Sequence, residues 1–309
     1  MKNSFSRGVL SCLIAGLLFG AQWPIAGSAL TIIDPYWFTL IRYIIVAIIL
    51  SAILFLKEGK KGFVVKKGQL LIVFFLGTMA FCAYNFLVFA GQKIAGTQGT
   101  ILASLLMALI PMISVLVLWG YKKEFPGWLT ITFIVISLLG VVLVVTKGNF
   151  LIFQQQSNLL FPILLIFFSV FAWVFYTIGG SSFPNWSSLK YTTLSCILGN
   201  ISSIFVIIFL TKMHISQAPL LADIQSIKWQ LLYMSIFSGV IGVLMWNVGN
   251  RILTPKNGSL FMNLVPIVTF VIEVFSGYKI SKIEILGALL TISAIVLNNL
   301  ISRFSIKNN

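Results

Sequence analysis

The chain has 309 residues, 59% of them apolar and only 9% charged, with 21 Lys and Arg against 6 Asp and Glu for a formal net charge of +15. Charges this sparse, gathered in short clusters between long uncharged stretches, exclude a water-soluble globular domain and point to a polytopic membrane protein. The basic excess is spread over loops instead of one patch or stripe, which excludes a nucleic-acid footprint as its explanation.

A bilayer is spanned by about 20 apolar residues, and Arg, Lys or Asp at the centre of a span costs roughly 2.5–3.5 kcal/mol. The first stretch, Gly8–Thr31, carries no charge at all. From one charge cluster to the next, ten candidate helices follow near residues 8–31, 36–56, 69–92, 99–119, 127–146, 159–180, 191–211, 229–250, 257–276 and 283–302. Lys2 and Arg7 ahead of the first run imitate a signal peptide, but the run is long for that role and nine more follow, so an uncleaved first helix is expected. The longest polar breaks, Lys57–Lys67 and Lys212–Lys228, are too short to fold as a soluble module. The fold class expected is all-α integral membrane, in a single membrane domain. A cytoplasmic N-terminus places fourteen Lys and Arg in the loops on its own side and six on the other, with Arg42 inside a span. Basic residues favour cytoplasmic loops, so a multi-pass protein with both termini cytoplasmic is expected in the plasma membrane, or the inner membrane of a double-membraned bacterium. Cys12, Cys82 and Cys196 all fall within candidate helices and have no metal-ligand spacing; they are expected to serve packing.

A pattern recurs between residues 88–123 and 247–280. Each copy has a basic residue after a helix (Lys93, Arg251), a small-residue turn, an apolar helix with a central proline (Pro111, Pro266), and a closing Gly-Tyr-Lys at Gly120 and Gly277. The copies lie about 155 residues apart, so each unit holds five helices. Five is odd, and the second copy must enter the membrane upside down, the inverted-repeat construction of secondary transporters.

With an early LLFGAQWPI, then DPYWFTLIRY containing Arg42, and mid-helix prolines in two halves of five, the chain resembles the EamA-type permeases of the drug/metabolite transporter superfamily. The resemblance implies an EamA-like five-helix repeat over 1–150 and its inverted partner over 151–309, around a central cavity. It also implies a mild preference for efflux. One departure stands out. The family often carries Glu after the Gly that closes the fourth and ninth helices, where this chain has Tyr121 and Tyr278, with Glu124 and Glu284 nearby.

Ionisable residues within spans are functional candidates because burying them is costly. Glu273 reads either as a proton-coupling or cation-binding carboxylate, or as an interfacial one paired with Lys279 or Lys282. Arg42 either receives a substrate carboxylate in bidentate fashion or holds Asp34 and nearby carbonyls, the structural reading leading. Amides and aromatics form a second set: Gln22, Trp23, Tyr84, Asn85, Trp173, Tyr176, Trp246, Asn247, Asn250 and Asn263. Each fits interfacial belts or helix–helix bonds; as a group they fit a cavity wall. Close contacts are expected at Gly16, Gly20, Gly239 and Gly242, and gating kinks at Pro111 and Pro266. With one histidine, His214, in a loop, there is no triad, metal site or nucleotide motif, and neither a cofactor nor catalysis is expected. The chain therefore reads as a secondary transporter, possessing no enzyme activity, of a small amphipathic metabolite such as an amino acid, nucleobase or amine. Proton coupling is open, and the alternatives are a lipid flippase or scramblase and, behind it, a membrane-embedded enzyme. Its expected partners are that substrate and the bilayer, and its expected state a monomer or homodimer.

Overall fold

The computed structural model describes residues 2–123, 125, 127–149 and 160–307; Glu124 lies outside them. The described residues are helical with no strand. They form α1 (Lys2–Leu30), α2 (Pro35–Glu58), α3 (Lys67–Ile94), α4 in two pieces (Gly99–Met107 and Ile110–Lys122), and α5 (Trp128–Thr146). Then follow α6 (Leu160–Gly179), α7 (Ser188–Lys212), α8 (Lys228–Leu253), α9 (Ser259–Phe275) and α10 (Lys282–Lys307). Six of these, α1, α2, α3, α6, α7 and α8, are long and apolar enough to cross a bilayer, and α4 joins them if its bent pieces make one span. Trp128–Val144 and Ser259–Phe275 are shorter apolar helices. Side chains such as Leu56, Leu71, Phe205 and Phe275 stand exposed, as lipid-facing residues do and as a soluble domain seldom allows.

Local chemistry sets the ends and breaks of these rods. Asp34 caps α2, its Oδ1 accepting the Tyr36 and Trp37 amides at 3.0 and 3.2 Å, with Pro35 in the first helical position. The Ser187 hydroxyl accepts the Lys190 amide at the start of α7. The pieces of α4 meet at 47°. Pro111, second residue of the latter piece, has no N–H to return to the turn before it. Pro266 lies where the 3-10 turn Ser259–Asn263 gives way to α-helix from Leu264. Two stretches wind as π-helix, Thr78–Ala83 in α3 and Tyr233–Gly242 in α8, five helices apart in the chain.

The helices pack across the two halves. The main partners are α5 with α10, α1 with α8, α3 with α6 and with α7, and α2 with α7 and with α8; α1 also meets α9, α4 meets α6, and α4 meets α9. Replacing each helix by the one five places on reproduces this set of partners. Cys12, Cys82 and Cys196 are buried free thiols within it.

Candidate substrate cavity

Where the two halves meet, Phe19, Gln22 and Trp23 of α1, Arg42 and Tyr43 of α2, and Tyr84 of α3 face Trp173 of α6, Val243 of α8, and Met262 and Val265 of α9. Met107 and Ile110 join them from either side of the break in α4. The free space among them is about 10 Å³, close to what one water needs, so the cavity is shut around its own side chains. Its walls are aromatic: Trp173 lies 4.9 Å from Tyr84 and 5.8 Å, edge-on, from Phe19.

The polar groups there are unevenly satisfied. Gln22 Oε1 accepts the Ser238 hydroxyl at 2.6 Å, from within the π-helical segment of α8. Arg42 is 2% exposed. Its Nη2 donates to the Tyr43 hydroxyl at 2.8 Å, and its guanidinium carbon lies 4.4 Å from the Tyr43 ring centroid and 5.6 Å from that of Phe89. Arg42 Nε and Nη1 have no partner, nor do the indole nitrogens of Trp23 and Trp173. Asp34 is not the counter-ion the sequence suggested: its Oδ1 accepts the Ser216 hydroxyl at 2.8 Å and the cap amides of α2. The one ion pair among the described residues is Lys147 with Glu284, at 3.5 Å, so Glu273 pairs with neither Lys279 nor Lys282. Glu273 is half-buried near the end of α9 and does not line the cavity.

The other sequence candidates divide by position. Asn85 is buried and donates to the Ala80 carbonyl at 2.7 Å, meeting a carbonyl of the π-helical stretch. Trp246 Nε1 donates to Thr177 Oγ1 at 3.1 Å, joining α8 to α6. Asn247 Nδ2 donates to the Tyr176 hydroxyl at 2.7 Å and to Thr192 Oγ1 at 2.8 Å, joining three helices. Asn250 Oδ1 and Asn263 Oδ1 are buried without partners. Asn247 and Asn250 also line a separate vestibule of about 350 Å³, with Tyr191 and Arg251, on the face that carries the N-terminus. A second vestibule of about 630 Å³, holding Asp34, Lys93 and His214, opens on the opposite face. Each vestibule has one basic side chain fastening a loop. Lys93 donates to the Ile33 carbonyl beyond α1 at 3.0 Å; Arg251 donates to the Phe183 carbonyl beyond α6 at 3.0 Å and to the Trp186 carbonyl. Sequence reasoning missed Phe19 and Tyr43. Phe19 stands one helical turn before Trp23 and Tyr43 follows Arg42, and both signals were available.

The model of the EamA-like transporter family matches the chain twice, over residues 6–146 and 160–300. An uncharacterized transporter of Bacillus subtilis, YrdR, is 42% identical, over 98% of this chain and 94% of its own length. A second from that organism, YyaM, is 26% identical over 90% of this chain and 88% of itself. The uncharacterized inner membrane transporter YicL of Salmonella typhimurium is 26% identical over 97% and 98%. A solved crystal structure shares the fold with a TM-score of 0.69 at 17% identity, covering 96% of this chain and 99% of the other.

Proposed function

The chain belongs to the EamA-like transporter family of the drug/metabolite transporter superfamily, and we propose that this multi-pass membrane transporter moves a small amphipathic metabolite by alternating access. The observation that carries this reading is the shut aromatic cavity built by both halves, with a vestibule at each face and a basic side chain fastening a loop beside each. A site closed to both sides and approached from both is the midpoint an alternating-access cycle must pass through. Ten spans in two inverted halves, both termini cytoplasmic and a plasma-membrane location are parts of the proposal. Two family matches of five helices each, partners that repeat at five-helix intervals and the bias of basic residues to one side support them.

Binding energy from the substrate would drive repacking of the two halves, without a cofactor. Proton coupling, in this scheme, falls to Glu273, the carboxylate within α9. Glu273→Gln should then abolish gradient-driven accumulation while exchange continues; undiminished accumulation leaves a uniporter. A flippase needs a groove open sideways to lipid. The lateral apolar groove that holds Leu76, Leu116 and Phe175 shares no residue with the cavity, which favours the permease.

The test is flux. Purified protein in liposomes should exchange labelled amino acids, nucleobases or amines, and overexpression should alter sensitivity to their toxic analogues. Lipid scrambling with no solute movement would sink the reading.

A further inference from the structure

The largest unmet demand within the helices is at Arg42. A guanidinium is a permanent cation with five N–H donors and no acceptor, and a cation within a membrane span normally has a partner or a task. Here the partner is incomplete. One hydroxyl and two ring faces attend the group, while Nε and Nη1 have nothing to donate to. No carboxylate of the described residues pairs with it, since Asp34 is occupied at the cap of α2 and Glu284 takes Lys147.

The same cavity offers further donors and hardly any acceptors. The indole N–H groups of Trp23 and Trp173 are buried without partners, and Gln22 Oε1 already accepts Ser238. Unpaired buried donors are costly and specific; they are best met by something that accepts several hydrogen bonds and carries negative charge. A carboxylate does both and matches the guanidinium. An ammonium would find a like charge and no carboxylate. A multiply charged anion would find only one cation in the cavity wall.

We propose that the transported substrate is an organic monocarboxylate, its carboxylate received by the free N–H groups of Arg42 and its apolar part held among Phe19, Trp23, Tyr84 and Trp173. This rests on the transporter reading and narrows it: amines and uncharged nucleobases leave the class. Because the space is now about 10 Å³, the ligand must enter a form of the protein in which the two halves have moved apart.

The experiment compares isosteric probes on purified protein: indole-3-acetate, indole-3-acetamide and tryptamine, with isobutyrate, isobutyramide and isobutylamine as the smaller series. Half-saturation is read from concentration-dependent thermal stabilisation, and flux is read separately by counterflow in liposomes. Within the series that fits, the carboxylate should bind at least about tenfold more tightly than its amide. Arg42→Gln should reduce that preference to within about twofold, and Arg42→Lys should retain part of it. Equal or inverted preference in the wild type overturns the proposal whatever the variants do, as does a folded Arg42→Gln protein with the wild-type preference. Should Arg42→Gln fail to fold, the wild-type ranking and Arg42→Lys still decide. Carboxylate binding with no counterflow of any probe would retain the anion site and sink the transporter reading, so the two fail separately.

Discussion

Tyr278 stands in the loop before α10, where the family resemblance would place a carboxylate. Its hydroxyl donates to Glu284 Oε1 at 2.7 Å, and Lys147 at the end of α5 pairs with that same oxygen at 3.5 Å. Glu284 is only 1% exposed and spends its other oxygen on the Ser281 amide at 2.8 Å, while Ser281 Oγ accepts the Glu284 amide at 3.2 Å. This is a capping box, and its S-x-x-E spacing is readable in sequence. Removing one donor leaves a buried carboxylate short of a bond, so Tyr278→Phe should cost about 1–2 kcal/mol at neutral pH, seen as a lower melting temperature. Burial, then the hydrogen bond to Glu284, then that carboxylate's charge, push the Tyr278 phenol well above its ordinary value near 10. A raised value in the folded state means stability that is complete below pH 10 and is lost as pH rises beyond it. The wild type should therefore lose melting temperature faster above pH 10 than Tyr278→Phe does. Parallel curves would show that the phenol stays un-ionised or contributes nothing.

Contacts between helices depend on missing side chains. A methyl group on Gly140 of α5 would come within 2.6 Å of the Gly287 carbonyl of α10 and meet Thr291 as well, while one on Gly120 meets nothing within 4 Å. Gly140→Val should destabilise by about 1–3 kcal/mol or more through overpacking. Gly120→Ala should leave the melting temperature unchanged or slightly raised; equal effects would contradict the close crossing. The fastened loops make a second expectation at this scale. Lys93→Met removes the hydrogen bond from α3 to the Ile33 carbonyl, and Arg251→Met removes the bonds from α8 to the Phe183 and Trp186 carbonyls after α6. Each should loosen its own vestibule. An impermeant maleimide should label Ala90→Cys faster from outside in the Lys93→Met background, and Ser188→Cys faster from inside in the Arg251→Met background. Unchanged rates at both sites would rule the tethers out as gates. The two π-helical stretches belong here as well: Thr78–Ala83 ends directly before Tyr84 and Tyr233–Gly242 directly before Val243, both of which line the cavity. Such winding is rare and recurs at functional sites.

For the whole molecule, the orientation proposed from the charge bias is directly measurable. Tags on both ends should be accessible only after the membrane is permeabilised, and a single exposed end would break the even count of spans. Much of this protein was legible in its sequence: the membrane class, the helical stretches and the bend ahead of Pro111. Each depends on neighbours within a few residues or on transfer of a whole segment from water to lipid, and both are local sums. The recurrence at about 155 residues was readable too, because it repeats local features. What the tertiary structure decided is which polar and aromatic side chains face one another. Lipid and protein interior are alike apolar, so hydropathy cannot separate Trp23, in the cavity wall, from Trp246, which bonds Thr177. Asn85 and Asn247 read as cavity amides, yet their donors are taken by Ala80 within α3 and by Tyr176 and Thr192 from other helices. Arg42 read as a partner for Asp34 eight residues away, and it is the arrival of Ser216 from the loop after α7 that helps occupy that carboxylate. Partners of this kind come from distant parts of the chain, and packing alone assigns them, which is why the one unpaired cation of the cavity appeared only once the helices were assembled.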